Sequence, residues 1–113
     1  MNGSSFIADR LTIDGQFHRL PFPIAAIIDL GQIVVVLYDP DSNVRKFGQF
    51  ANLVALRRSG ELLWTAEMPT SKSGDSYYAI GRDDNRLVAR STGSFVVEID
   101  PMNGRITSRE FVK

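Results

Sequence analysis

His18 is the only histidine in this 113-residue chain, and Asp14 precedes it across an Asp-Gly turn. Histidine, a carboxylate and any of several serines are the residue types of nucleophilic hydrolysis, in which imidazole takes the serine proton and the carboxylate orients the ring. That chemistry also needs a presented nucleophile, and the chain has no Gly-x-Ser-x-Gly elbow. His18 therefore reads as a surface imidazole on a hairpin, and no catalytic residue is assigned. Asp39-Pro40-Asp41-Ser42-Asn43 resembles the opening of a calcium loop. The sixth position, however, is Val44 where such a loop needs Gly, and the twelfth is Phe50 where it needs Glu. Asp and Asn here read as turn formers, and no metal ligand is assigned. Neither Gly-x-x-x-x-Gly-Lys-Ser/Thr nor Gly-x-Gly-x-x-Gly opening a helix occurs, so no phosphate cradle and no cofactor is expected.

Two groups remain that could recognise something. Arg82, Arg86 and Arg90 lie on neighbouring parts of one expected hairpin, with Arg86 and Arg90 on a common face across Val88. Guanidinium groups bind carboxylate or phosphate through paired hydrogen bonds, and equally a charged edge guards a strand against aggregation. Ser73-Gly74-Asp75-Ser76-Tyr77-Tyr78 sets small polar residues before paired tyrosines, a mixture of adaptable and aromatic side chains that binding surfaces use. Alternation puts one tyrosine inward and one outward. The candidate partner-binding residues are thus Asp75, Tyr77, Tyr78, Arg82, Arg86 and Arg90.

Composition narrows the partners. Lys+Arg and Asp+Glu both number 13, so no net charge draws the chain to nucleic acid or to anionic lipid. There is no cysteine, which removes disulfides, thiolate metal sites and thiol nucleophiles and fits a cytoplasmic setting. The N-terminal MNGSSFIADR lacks the basic and apolar regions of a secretory signal. The most apolar run, Ile24 to Tyr38, is broken by Asp29, Gly31 and Gln32 and falls short of the roughly 20 apolar residues of a membrane-spanning helix.

The elements that must position these residues are strands. No long stripe of helical period occurs; runs of β-branched and aromatic residues alternate with turn signals. Asp14-Gly15, Asp29-Leu30-Gly31, Ser59-Gly60, Asp83-Asp84-Asn85 and Pro101-Met102-Asn103-Gly104 each join two such runs. The pattern predicts one all-β domain over residues 1–113, an antiparallel meander of about ten short strands, with residues 1–5 frayed. Alternation places Leu62, Trp64, Ala66 and Met68 on one face, with Trp64 as a core anchor. The longer connections, 39–49 and 69–76, are rich in Gly, Ser, Asp and Pro, the places where a β scaffold carries function.

Glycines at 15, 60 and 104 recur at spacings of 45 and then 44 residues, each in a hairpin turn. A period of that length built from short strands is the mark of propeller blades. NLVALRRSGELLWTAEMP and VVEIDPMNGRI resemble the repeats of quinoprotein-alcohol-dehydrogenase-like (PQQ-type) β-propellers. The resemblance covers blade-like units at about 24–68 and 77–111, with half a unit at 11–20. It implies a blade-like fold, not closed within one chain, since a ring takes about four blades or more. The second unit departs from the pattern by carrying Ser108 where the first has Trp64. No cofactor residue and no dehydrogenase activity is carried over. Either the hairpins form a compact sandwich or small open barrel, the reading favoured here, or further chains complete a larger assembly.

The functional expectation is a non-enzymatic interaction module, binding a protein partner through loops 39–49 and 72–78 or a sheet edge, with homo-oligomers through sheet edges as one form. The alternative is a small-molecule or saccharide binder using Tyr77, Tyr78 and the nearby arginines.

Overall fold

Asp14 and Gly15 both take positive φ, 51° and 85°, the geometry a two-residue turn needs to match the twist of the strands it joins. Around such turns a computed structural model places eleven strands; it describes residues 3–42, 49–71 and 74–112. β1 (Ser4–Ile7), β2 (Arg10–Ile13) and β3 (Gln16–Arg19) form the first sheet; β4 (Ile24–Asp29), β5 (Ile33–Tyr38), β6 (Leu53–Arg57) and β7 (Leu62–Thr65) the second; β8 (Tyr77–Asp83), β9 (Arg86–Ser91), β10 (Phe95–Ile99) and β11 (Ile106–Phe111) the third. Every pairing is antiparallel between consecutive strands, and no sheet closes into a barrel.

The expected blade units thus appear as the second and third sheets, and the half unit grows into a complete three-stranded sheet. β1 takes in Ser4 and Ser5, two of the residues expected to fray; residues 1 and 2 lie outside the described residues. Ser4-Ser5 has little strand propensity, and the β1–β2 turn uses Ala8 at φ 54°, a left-handed position that alanine rarely takes and that no turn motif announces.

The second sheet lies between the other two. Its Val34, Val36, Val54 and Leu56 meet Leu11 and Ile13 of the first sheet. Its Val35, Leu37, Leu53, Ala55 and Trp64 meet Tyr77, Leu87, Ala89, Val97 and Ile99 of the third. A sheet covered on both faces must be apolar on both, which is why β5 reads Ile-Val-Val-Val-Leu-Tyr without alternation. The first strands of the three sheets lie side by side, β1 against β4 and β4 against β8, and β5 also touches β8.

Two joints set the spacing of the layers. Trp64 packs on Gly104 in the β10–β11 turn and donates its indole N–H to the Pro101 carbonyl at 2.9 Å. A Cβ at position 104 would lie 2.6 Å from the indole, and φ is +77°. The first sheet repeats this joint with a smaller ring: His18 of β3 packs on Gly60 in the β6–β7 turn, where a Cβ would collide with the imidazole. Its Nε2 is buried and has no hydrogen-bond partner among the described residues. The reading of His18 as a surface imidazole is corrected accordingly, because the spacing of a strand after a turn glycine brings the ring over the next layer.

A bulge accounts for a further correction. Ala55 pairs with Trp64 but Leu56 pairs with Leu62, so Leu63 is an extra residue. The extra residue reverses the side-chain phase; Leu62 is 56% exposed while Leu63 packs on the core. Leu62 therefore does not share the face of Trp64. The third sheet has the same irregularity, with Glu98 opposite Ser108 and Ile99 opposite Ile106, so Ser108 occupies the place of Trp64 on an outer, uncovered face.

Gly104→Ala is expected to destabilise the chain by about 2–4 kcal/mol, combining left-handed strain with overpacking against the indole. Gly31→Ala, with φ +89° but open space around its Cβ, is expected to cost only about 1 kcal/mol. Urea unfolding of the two variants checks the difference, and equal losses would mean that the Trp64 joint adds nothing.

Candidate functional site

The segment before β8 is held by one amide. Asn52 is fully buried; its Nδ2 donates to the carbonyls of Tyr38 (2.9 Å) and Tyr77 (2.7 Å), and its Oδ1 accepts from the Tyr77 N–H (2.8 Å). The side chain satisfies three backbone groups that strand pairing leaves over, each costly if buried unpaired. Nothing in the sequence singles Asn52 out, since its partners lie at positions 38 and 77.

The clamp decides the fate of the two tyrosines. Tyr77 is fully buried in the core between the second and third sheets, and its hydroxyl donates to the Glu67 carbonyl at 2.6 Å. Burial pushes its phenol well above the usual range, with Asp75 and Glu67 adding to the shift. Tyr78 is the extra residue of a bulge, because Tyr77 pairs with Ser91 and Ala79 with Arg90; its ring is half exposed. One tyrosine faces in and one out, as alternation predicts. Asp75 is also buried. Its carboxylate accepts from Thr70 Oγ1 (2.6 Å), Thr92 Oγ1 (3.2 Å) and the Gly93 N–H (3.1 Å). Asp75 and Tyr77 thus build the scaffold beneath Tyr78 and do not present atoms to a surface.

Strand register divides the arginines. Arg82 pairs with Leu87, whose side chain faces the second sheet, whereas Arg90 pairs with Ala79 and Val96, and Arg86 with Asp83. Paired residues share a face, so Arg86 and Arg90 stand on the outer face and Arg82 at the edge of the inner one. Arg86 makes a 3.8 Å ion pair with Glu98 on exposed side chains, a contact of little energy. Arg82 donates from Nε to the Asp84 carbonyl at 2.9 Å. Arg82 and Arg90 still line one cavity across β8, with Asp83 and Val88, while Arg86 is not among its lining residues.

The expected loops are only partly in view: residues 43–48 of the first, and 72 and 73 of the second, lie outside the described residues. Asp39 folds its own turn, accepting from the Asp41 N–H at 2.9 Å and from the Ser42 hydroxyl at 2.6 Å. Gln49 donates to the Thr70 carbonyl, tying the end of one loop to the start of the other. Among the described residues no group of three His, Cys, Asp or Glu side chains is placed to hold a metal ion, and no helix is long and apolar enough to cross a membrane.

An ionic cluster joins the first two sheets beside the His18 joint. Arg58, in the turn after β6, grips Asp14 with Nε (2.8 Å) and Nη2 (2.6 Å), and reaches Asp29 (2.9 Å) and the Gly31 carbonyl (2.8 Å) with Nη1. The Gly3 N–H donates to Asp14 and the Ser4 hydroxyl to Asp29, both at 3.0 Å. Asp14 is therefore engaged by Arg58 while His18 lies over Gly60. Asp14 is held far below the usual carboxylate range, chiefly by the Arg58 hydrogen bonds. Partial burial pushes Asp29 up, but its bonds from Arg58, Gly31 and Ser4 outweigh that and leave it lowered. Arg58 is raised by the same two carboxylates. The sequence offers only turn-forming aspartates and an arginine pair here, with no sign that they meet.

Residues 1–111 match the family described as a domain of unknown function, DUF7957. The chain belongs to that family. No curated protein matches it. Among solved structures it is similar to the computationally designed Ika8 protein, with 14% identity, a TM-score of 0.57, and 95% of this chain against 35% of that one. It is also similar to BamB from Moraxella catarrhalis, with 15% identity, a TM-score of 0.52, and 98% of this chain against 35% of that one. BamB is a PQQ-like β-propeller protein, so the likeness establishes a propeller-like fold. The chain spans about a third of the length of either structure.

Two outcomes follow for stability. Asn52→Ala is expected to cost about 2–4 kcal/mol, since it strands buried backbone groups of Tyr38 and Tyr77, read as a lowered urea midpoint. Asp14 and Asp29 have lowered folded pKa values. Their contribution is complete above the unfolded value of about 4 and is lost as pH falls through the lower folded values. The stability gap between the parent and Arg58→Ala should therefore be widest near neutrality and shrink below about pH 4. A gap that stays constant down to about pH 2 would show that Arg58 acts by packing alone.

Proposed function

We propose that this chain is a non-enzymatic protein-interaction module whose main contact surface is the outer face of the first sheet. The observation that carries the reading is the placement of Ile7 and Phe17, 80% and 76% exposed, on one side of that sheet. Ile7 pairs with Arg10 and Phe17 with Thr12, so both stand opposite the buried Leu11 and Ile13. A sheet face with two large apolar side chains in water is costly unless something covers it. Arg10 and Arg19 flank the pair on the same face and favour a partner surface that is apolar with acidic groups around it. Tyr78 and the described ends of loops 39–49 and 72–78 offer further contacts at a separate place.

The saccharide or small-molecule alternative would need Tyr77 and Tyr78 as neighbouring platforms, and Tyr77 is spent in the core. The interaction reading is therefore preferred.

The test is recovery of the tagged chain from the cells that encode it, followed by light scattering and mass spectrometry. The expected result is a stoichiometric complex with a second protein that forms with the parent and fails with Phe17→Asp. A chain that stays monomeric near 12.6 kDa, with thermal stabilisation by a metabolite and no protein partner, would overturn the reading. So would a complex indifferent to Phe17→Asp and Ile7→Asp together.

A further inference from the structure

Between the second and third sheets, at the end where three hairpin turns come together, the core opens into a groove of about 530 Å³. Leu30, Ile33 and Leu63 form its floor, and each is partly buried against the main core. Met102, 81% exposed, forms a wall in the β10–β11 turn. Arg57 and Arg82 stand at its rim. Interfaces use such a combination, an apolar floor continuous with the core and a few cations with donors to spare.

The two arginines differ in readiness. Arg57 makes a 3.1 Å ion pair with Glu61, both side chains more than half exposed, a pairing that water or another carboxylate exchanges at little cost. Arg82 uses only Nε, toward the Asp84 carbonyl; its Nη1 and Nη2 make no ion pair or hydrogen bond among the described residues. The Nε bond orients the guanidinium and leaves the terminal nitrogens for an incoming acid. Met102 is unbranched and polarizable, a wall that adapts to the shape of an apolar side chain.

We infer that this groove binds an acidic peptide segment of a protein partner, with a bulky apolar side chain on Leu30, Ile33 and Leu63 and a neighbouring carboxylate on Arg82. A free small acid would engage the guanidinium of Arg82 alone, whereas a peptide adds an apolar side chain on Leu30, Ile33 and Leu63 and flanking backbone contacts. The site is separate from the outer face of the first sheet and does not require that face to bind. Arg82 is the one member of the sequence-assigned arginine group that reaches it.

The probe is a labelled peptide with blocked termini, Gly-Asp-Phe-Leu-Asp-Gly, titrated into the isotope-labelled chain and followed by amide NMR and fluorescence anisotropy. Saturable binding is expected, with shifts confined to residues 30–33, 57–63, 82–85 and 101–102. Arg82→Gln, or Asn for Asp in the peptide, should weaken it about tenfold through the lost charge-assisted bonds. Serine in place of the Phe and Leu of the peptide should abolish it, and Phe17→Asp should leave it unchanged. The NMR spectrum of each variant reports its own folding. Shifts centred elsewhere, undiminished binding by Arg82→Gln, or no binding at millimolar peptide would overturn the inference. Because Phe17→Asp acts only on the outer face, failure in the groove and failure of the interaction reading are told apart.

Discussion

Each layer of this fold is pinned to the next by a ring resting on a glycine. Trp64 lies on Gly104 and His18 on Gly60, and in both cases the ring comes from the last strand of one sheet and the glycine from the last hairpin turn of the next. Aliphatic side chains between two sheets give attraction without direction. A planar ring against bare backbone gives a distance and an orientation, and at Trp64 the indole N–H adds a hydrogen bond to the Pro101 carbonyl. Remove the glycine and the layers must separate or shift; remove the ring and a gap opens in a close-packed interior. The cores on either side of the second sheet can both be full only while these joints hold.

The third sheet carries no such ring on its far face. On the third sheet the corresponding ring position is Ser108, and around it the outer face carries Arg86, Arg90, Glu98 and Glu110. The opposite end differs, because the outer face of the first sheet keeps Ile7 and Phe17 beside its arginines. The outer face of the third sheet is thus polar and that of the first partly apolar, and that asymmetry gives the proposed partner surface its location. The same layering creates the groove of Arg82, since three turns at one end of the second and third sheets leave the core incompletely covered.

Several polar groups in this molecule hold backbone and charged groups in position. Asn52, Asp75 and the Arg58 cluster each satisfy backbone or charged groups brought together by packing, at sequence separations that no local motif encodes. Within the Arg58 cluster the lowered Asp14 and Asp29 and the raised Arg58 have one origin, as carboxylates and a guanidinium held at hydrogen-bond distance shift one another toward the charged state.

The sequence by itself determined the strand class, the hairpin turns and the blade-length repeat, because these depend on neighbours in the chain: alternation of side chains and left-handed turn positions at residues such as Asp14-Gly15. It also determined that Trp64 would be buried and that only one of Tyr77 and Tyr78 would face out. Tertiary structure alone decided the rest. A one-residue bulge turned Leu62 outward, a left-handed Ala8 brought Ser4–Ile7 into the first sheet, and register put Arg82 on the opposite face from Arg86 and Arg90. It also took Asp75 and Tyr77 into the scaffold and carried His18 from an expected surface onto Gly60. Each of these outcomes depends on which residue stands opposite in space, and such pairings across layers are fixed only when the whole stack is assembled.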